Sequence, residues 1–186
     1  MVRKHISKPA EAILESKKKK DIKSSLVYLL LSSVLMALAG SIATAKISIQ
    51  TSMIVGVGMF LMIFIGSLII GWLIQLIATT LGGKGGYKEG LTAITNALVV
   101  PSIGAVAVAI FSYVPFLGIP LIFLTLAVSL SIGIAVFYRS IKELFSTDMI
   151  TAFIVVSILA IALIIALLGT VLSVPTWLNA SAFRFV

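Results

Sequence analysis

The chain contains no cysteine, a single histidine and only six carboxylates among its 186 residues. Without cysteine there is neither a disulfide framework nor a thiolate metal site, and the redox compartment stays open. His5, alone in the N-terminal stretch, assembles no catalytic triad and is a poor metal ligand. Charge is scarce, at 11% of residues, and it is missing altogether from five stretches: residues 24–45, 52–81, 91–113, 119–138 and 149–172 hold no Asp, Glu, Lys, Arg or His. An intramembrane hydrolase or a proton-coupled carrier needs ionisable groups inside its spans, so their absence argues against both. No nucleophile, base and orienting group can be brought together, which predicts a protein that is not an enzyme and carries no cofactor.

What is present is apolar: 60% of residues are hydrophobic and the mean hydropathy is +1.23. A helix rising about 1.5 Å per residue needs about 20 apolar residues to cross a hydrocarbon core of about 30 Å, and all five stretches meet that length. Backbone amides in lipid find no water, so the spans are predicted to be helices. The fold class is all-α, a polytopic membrane helical bundle of five transmembrane helices. The implied domains are a cytoplasmic basic segment at residues 1–23, the membrane domain at 24–173 and an external tail at 174–186.

The net charge of +8 is unevenly placed. Arg3, Lys4, Lys8, Lys17, Lys18, Lys19, Lys20 and Lys23 precede the first span, Lys84 and Lys88 lie between spans two and three, and Arg139 and Lys142 lie between spans four and five. Only Lys46 and Arg184 fall on the other side. This positive-inside bias predicts a cytoplasmic N terminus and an extracytoplasmic C terminus in a cell membrane, and it removes nucleic acid as a partner. Ala43-Thr44-Ala45 resembles a signal-peptidase site, but the long basic stretch ahead of it and an apolar run continuing nearly to Ala45 argue against cleavage.

Within the N-terminal segment, Pro9 suits a first helical turn, and Ile6, Ala10, Ile13 and Leu14 recur at helical spacing opposite Glu11, Glu15 and Lys18. The pattern predicts a short amphipathic helix on the inner leaflet. Lys17, Lys18, Lys19, Lys20 and Lys23 would then meet lipid headgroups, at about 1 kcal/mol each beside anionic lipid. An orientation signal without any binding role is the plain alternative.

The cluster Gly82-Gly83-Lys84-Gly85-Gly86 turns the second span back into the third. It is no phosphate-binding P-loop, because Lys84 is followed by Gly85 where a Ser or Thr is needed and no strand precedes it. A tight, mobile turn is expected. Gln75 and Asn96 stand at similar distances from the middle of the stretch between spans two and three, which predicts one depth in a helical hairpin, with Thr79, Thr80, Thr92 and Thr95 nearby. Such amides form either an interhelical clasp or a polar vestibule.

Pro101 inside span three, with Gly104 after it, predicts a kink and a freed carbonyl at Ala97. Pro115, Gly118 and Pro120 predict a tight external hairpin between spans three and four. Packing faces are expected at Gly56, Gly58, Gly66, Ser67 and Gly71, at Ala105, Ala107 and Ala109, and at Ser129, Ser131, Gly133 and Ala135. Span four is expected to run on past Tyr138 with Ile141, Leu144 and Phe145 on one side, Ser146 or Thr147 capping span five and Asp148 at its start. Trp177, Phe183 and Phe185 suit an outer interface belt, and Asn179-Ala180-Ser181 is a weak glycosylation match.

The order of these features resembles the Yip family, five-span membrane proteins first known as partners of small Ypt and Rab GTPases. The similar segments are Pro9 ahead of the lysine run, Leu81-Gly82-Gly83-Lys84-Gly85-Gly86-Tyr87-Lys88-Glu89, Pro101, Pro115-Phe116-Leu117-Gly118, and Tyr138 ending span four. The resemblance implies a cytoplasmic N terminus, five helices and a non-enzymatic role in membrane organisation or trafficking. The long N-terminal region of eukaryotic members, with its acidic, aromatic and Gly-Pro element, has no counterpart here, so small GTPase binding is not expected to carry over. The compact form is similar to prokaryotic members. Expected partners are anionic lipids, other membrane proteins or further copies of the chain. The rival expectation is a small transporter or channel, with kinked span three, Gln75 and Asn96 lining a path.

Overall fold

A computed structural model of the chain describes residues 22–162 and residue 165. Four helices are long and apolar enough to cross a membrane: α1 (Ile22–Thr44), α2 (Ile49–Thr80), α3 (Tyr87–Phe111) and α4 (Gly118–Leu144). A shorter apolar helix, α5 (Met149–Ala162), follows. The all-α class and the helical bundle are as the sequence implies. The predicted amphipathic helix, Lys17 to Lys20 and the aromatic tail lie outside the described residues. At about 1.5 Å per residue, the 32 residues of α2 span about 48 Å, well beyond a hydrocarbon core of about 30 Å, so α2 must tilt or project from it.

α3 is the central element and packs against α1, α2 and α4. α1 and α3 run in the same direction. Near their first turns the Ser25 and Thr92 hydroxyls meet at 2.7 Å, and near their last turns the Tyr113 hydroxyl donates to the Ile42 carbonyl at 2.6 Å. α2 and α4 run opposite to both. One end of the bundle therefore gathers the start of α1, the 81–86 loop and the 145–148 turn, and is called here the Lys84 end. The other, the Lys46 end, carries residues 45–48 and 112–117.

Close backbone approach fixes these neighbours, because lipid offers helices no hydrophobic drive to associate. A Cβ added at Gly71 would sit 3.1 Å from both the amide N and the Cα of Leu91, and one at Gly90 would run into the Gly71 carbonyl oxygen. Between α3 and α4, a Cβ at Gly104 would lie 2.5 Å from the Ser129 Cβ, and one at Gly133 would lie 2.6 Å from the Pro101 ring. The same point on Gly133 is 3.2 Å from the Ala97 carbonyl oxygen, the acceptor that Pro101 deprives of its amide partner. Helix α3 is continuous through Pro101, whose ring is accommodated by a glycine on the neighbouring helix. Two expected packing positions are corrected: Gly58 and Gly66 have open space around them and take no part in the α1 or α3 contacts. Ser131 and Ala135 are likewise exposed, while Ser129 and Gly133 are buried.

The apolar core lies toward the Lys84 end, where Ile74 and Ala78 of α2, Ala93 of α3, Val136, Ile141 and Leu144 of α4, Phe145, and Ala152 and Val155 of α5 come together. The cap of α5 is Asp148, whose Oδ1 accepts the Thr151 amide at 3.3 Å, and not Ser146 or Thr147. A carboxylate suits the positive end of a helix better than a hydroxyl does.

Candidate functional site

At the Lys84 end the glycine loop is docked. Gly82 adopts φ 89°, a left-handed conformation that glycine takes without strain. The Gly83 amide donates to the Ala78 carbonyl at 2.8 Å, and the Lys84 amide donates to the Phe145 carbonyl at 2.7 Å. Gly85 lies against the fully buried Phe145 ring, which a Cβ there would meet at 2.6 Å. The Gly86 amide donates to Glu89 Oε2 at 2.8 Å, closing the first turn of α3. The turn expected to be mobile is thus held on both sides, and Phe145, seen in the sequence only as one side of a helix, is the residue that holds it. Tyr87 and Tyr138 contribute longer ties, to the Leu68 carbonyl at 3.4 Å and to the Met149 carbonyl at 3.1 Å.

This end also collects charge. Lys23, Lys84, Lys88, Arg139 and Lys142 all lie here, together with Glu89, Glu143 and Asp148. Hydrogen bonding to Thr151, its hydroxyl first and its backbone amide in addition, holds the Asp148 carboxyl below its ordinary range. Lys46 alone among the described basic residues sits at the opposite end.

The structure does not bring Gln75 and Asn96 to one depth. Gly90 abuts the Gln75 amide N, 3.3 Å from where its Cβ would be, and Asn96 lies six residues further along α3, about 9 Å away along the axis. Asn96 is 3% exposed whereas Gln75 is half-buried. Thr79 and Thr80 are exposed and donate to carbonyls of their own helix, at Gln75 and Leu76. Thr95 and Ser102 are fully buried on α3 but do the same, to Leu91 at 2.6 Å and Val99 at 2.9 Å. Hydroxyls do link helices elsewhere: Ser25 meets Thr92 between α1 and α3, and the Ser52 hydroxyl donates to the Ser41 carbonyl between α2 and α1 at 2.7 Å. Among the described residues no group of three or more His, Cys, Asp or Glu is placed to hold a metal ion.

The Lys46 end holds a constellation that sequence reasoning missed. Lys46 Nζ donates to the Ser112 carbonyl at the C-terminus of α3 at 2.8 Å and stands 4.0 Å above the Tyr113 ring, whose hydroxyl reaches α1. A cation there complements the negative helix end and the ring face together. The available signal was that Lys46 broke the charge bias. Beyond it, Phe116 has φ 61° and is 98% exposed, at the centre of a γ-turn closed by the Leu117 amide on the Pro115 carbonyl at 2.7 Å. The expected tight link between spans three and four is present, with Gly118 buried against the Phe111 carbonyl.

No curated protein and no solved structure matches the chain. A family model described as the Yip1 domain matches residues 4–171, which takes in every helix among the described residues and both end constellations. With five apolar helices, the docked Gly82–Gly86 loop and the Pro101 and Pro115–Gly118 features all inside that match, the chain belongs to the Yip1 domain family.

Proposed function

We propose that this protein is a non-catalytic organiser of a cell membrane, with its N terminus cytoplasmic and its C terminus outside, that acts through a basic inner end and through helix packing. Its partners are anionic lipids, with other membrane proteins or further copies of the chain as the protein partners, and no small GTPase is required. The observation that carries this reading is the gathering of Lys23, Lys84, Lys88, Arg139 and Lys142 at one end of an uncharged bundle. The Lys17 to Lys20 run enters next to that end in sequence. Membership of a family of multi-pass membrane proteins supports the same view. A transport path between α2 and α3 draws no support from Gln75 and Asn96, which stand at different depths.

The test uses the full-length protein in nanodiscs of mixed phosphatidylglycerol and phosphatidylcholine. Replacing Lys17 to Lys20 together by glutamine is expected to lower the enrichment of phosphatidylglycerol around the protein. Enrichment equal to that of the unsubstituted chain removes the Lys17 to Lys20 run from lipid recognition. Reporter tags at both termini check the orientation, and finding them in one compartment overturns it.

A further inference from the structure

Helix α4 carries a groove of about 560 Å³ near the Lys84 end, with Ile132, Ala135 and Val136 along its apolar part and Tyr138, Arg139 and Lys142 at its mouth. Arg139 and Lys142 stand three residues apart and so project from one face of the helix. Arg139 is exposed and Lys142 half-buried, and among the described residues neither side chain makes an ion pair or a hydrogen bond. Two cations against one carboxylate, Glu143, leave a net positive charge at this mouth beside exposed apolar surface.

The geometry points to a single binding site for an anionic phospholipid on α4, with the phosphodiester between Arg139 and Lys142 and one acyl chain against Ile132 and Ala135. The guanidinium matches a phosphate in a bidentate way and the ammonium supplies the second charge. From Arg139 to Ile132 is seven residues, about 10 Å of apolar wall running from the headgroup level into the hydrocarbon. Tyr138, whose hydroxyl is tied to the Met149 carbonyl, sets its ring at the depth where tyrosine favours the interface. Glu143 also lines the mouth and has an interaction of its own. Its carboxylate disfavours a doubly charged phosphomonoester and selects a singly charged headgroup such as phosphoglycerol. This site rests on the lipid-binding reading above but is separable from it, because its residues are distinct from the N-terminal lysines.

The experiment is native mass spectrometry of the full-length protein in mild detergent, titrated with phosphatidylglycerol or with phosphatidylcholine of the same acyl chains. For the first lipid bound, Arg139→Gln with Lys142→Gln is expected to reduce the preference for phosphatidylglycerol by roughly tenfold, the loss that two headgroup charges at a partly screened site predict. Arg139→Lys with Lys142→Arg, which keeps both charges, retains most of the preference, and circular dichroism of each variant verifies the helices. Lys17 to Lys20→Gln leaves the first lipid in place and reduces only later ones. Free glycerol phosphate at the same concentration does not displace the lipid; if it does, the acyl-chain contact is wrong. An unchanged preference in the double glutamine variant, or loss of the preference in the charge-conserving pair with native helicity, overturns the site. If the N-terminal variant alone abolishes the preference, this site fails while the broader lipid-binding function stands; if neither variant moves it, both fail.

Discussion

Gly90→Ala tests the register of the bundle directly, because a single methyl group would have to occupy space taken by another helix's backbone. A Cβ at Gly90 would overlap the Gly71 carbonyl oxygen and lie 3.1 Å from the Gly71 carbonyl carbon. Neither group can swing aside as a side chain would, so α2 and α3 must separate. Overpacking of this kind costs about 1–3 kcal/mol, and a backbone wall places Gly90 at the upper end. Against this, alanine gains up to about 1 kcal/mol over glycine in a helix interior. The expected net effect is destabilisation by about 2 kcal/mol. Gly58→Ala is the matched control, since it makes the same chemical change on α2 with nothing within 4 Å of the added carbon. It is expected to stabilise by about 0.5–1 kcal/mol through the helix term alone. Unfolding of the full-length protein in mixed micelles by sodium dodecyl sulfate, followed by helical circular dichroism, measures both. Gly71→Ala meets the Leu91 backbone across the same contact, so combining it with Gly90→Ala is expected to cost less than the two changes summed. If Gly90→Ala and Gly58→Ala shift stability in the same direction, the α2–α3 contact is not at Gly71 and Gly90.

Phe145→Ala removes the fully buried ring beneath the glycine loop; a loss of about 3–5 kcal/mol and faster hydrogen exchange at the Lys84 amide are expected, and slow exchange retained there counts against the docked loop. A double-mutant cycle on Lys46→Met and Tyr113→Leu, read by thermal unfolding in detergent, is expected to show coupling of about 0.5–1 kcal/mol, and additivity refutes the shared contact. Asp148 has a folded-state pKa below its unfolded one, so its contribution to the start of α5 is full at neutral pH and is lost as pH falls below about 4. The protection of the Thr151 amide, its exchange rate taken relative to the intrinsic rate at each pH, should fall on acidification in the natural chain and show no such acid response in Asp148→Asn.

The missing charges made the helices legible, because a span without a single ionisable residue has only one inexpensive solvent. The continuation of α4 past Tyr138 was legible too, since Ile141 and Leu144 are buried where the helical period puts them. Register was not. Counting outward from the loop pairs Gln75 with Asn96, but the Gly71–Gly90 crossing sets the offset between α2 and α3, and no count along one chain contains it. The roles of Lys46 and Phe145 were hidden for the same reason. Each depends on two turns distant in sequence, 45–48 with 112–117 and 81–86 with 145–147, coming to one end of the bundle.

In lipid the usual guide to the interior fails, since leucine facing a neighbour and leucine facing hydrocarbon are almost equally content. Exposed large apolar residues line α2 from Met53 to Leu76, and they say nothing about its neighbours. Small and hydroxylated residues carry that information, but unequally. Glycine has no side chain to show which way it faces, so Gly58 and Gly66 read the same as Gly71 in sequence and differ completely in surroundings. A hydroxyl in hydrocarbon must find an acceptor and is more comfortable inside, so Ser25, Ser32, Ser33, Thr92, Thr95 and Ser102 all turn inward and mark the α1–α3 side of the bundle. Thr79 and Thr80 are exposed because they end α2 at the Lys84 end, where lipid no longer dictates the choice. Away from the helix ends, with exposed Ser131 as the exception, hydroxyl positions are therefore a better guide to this bundle's interior than either its glycines or its large apolar side chains.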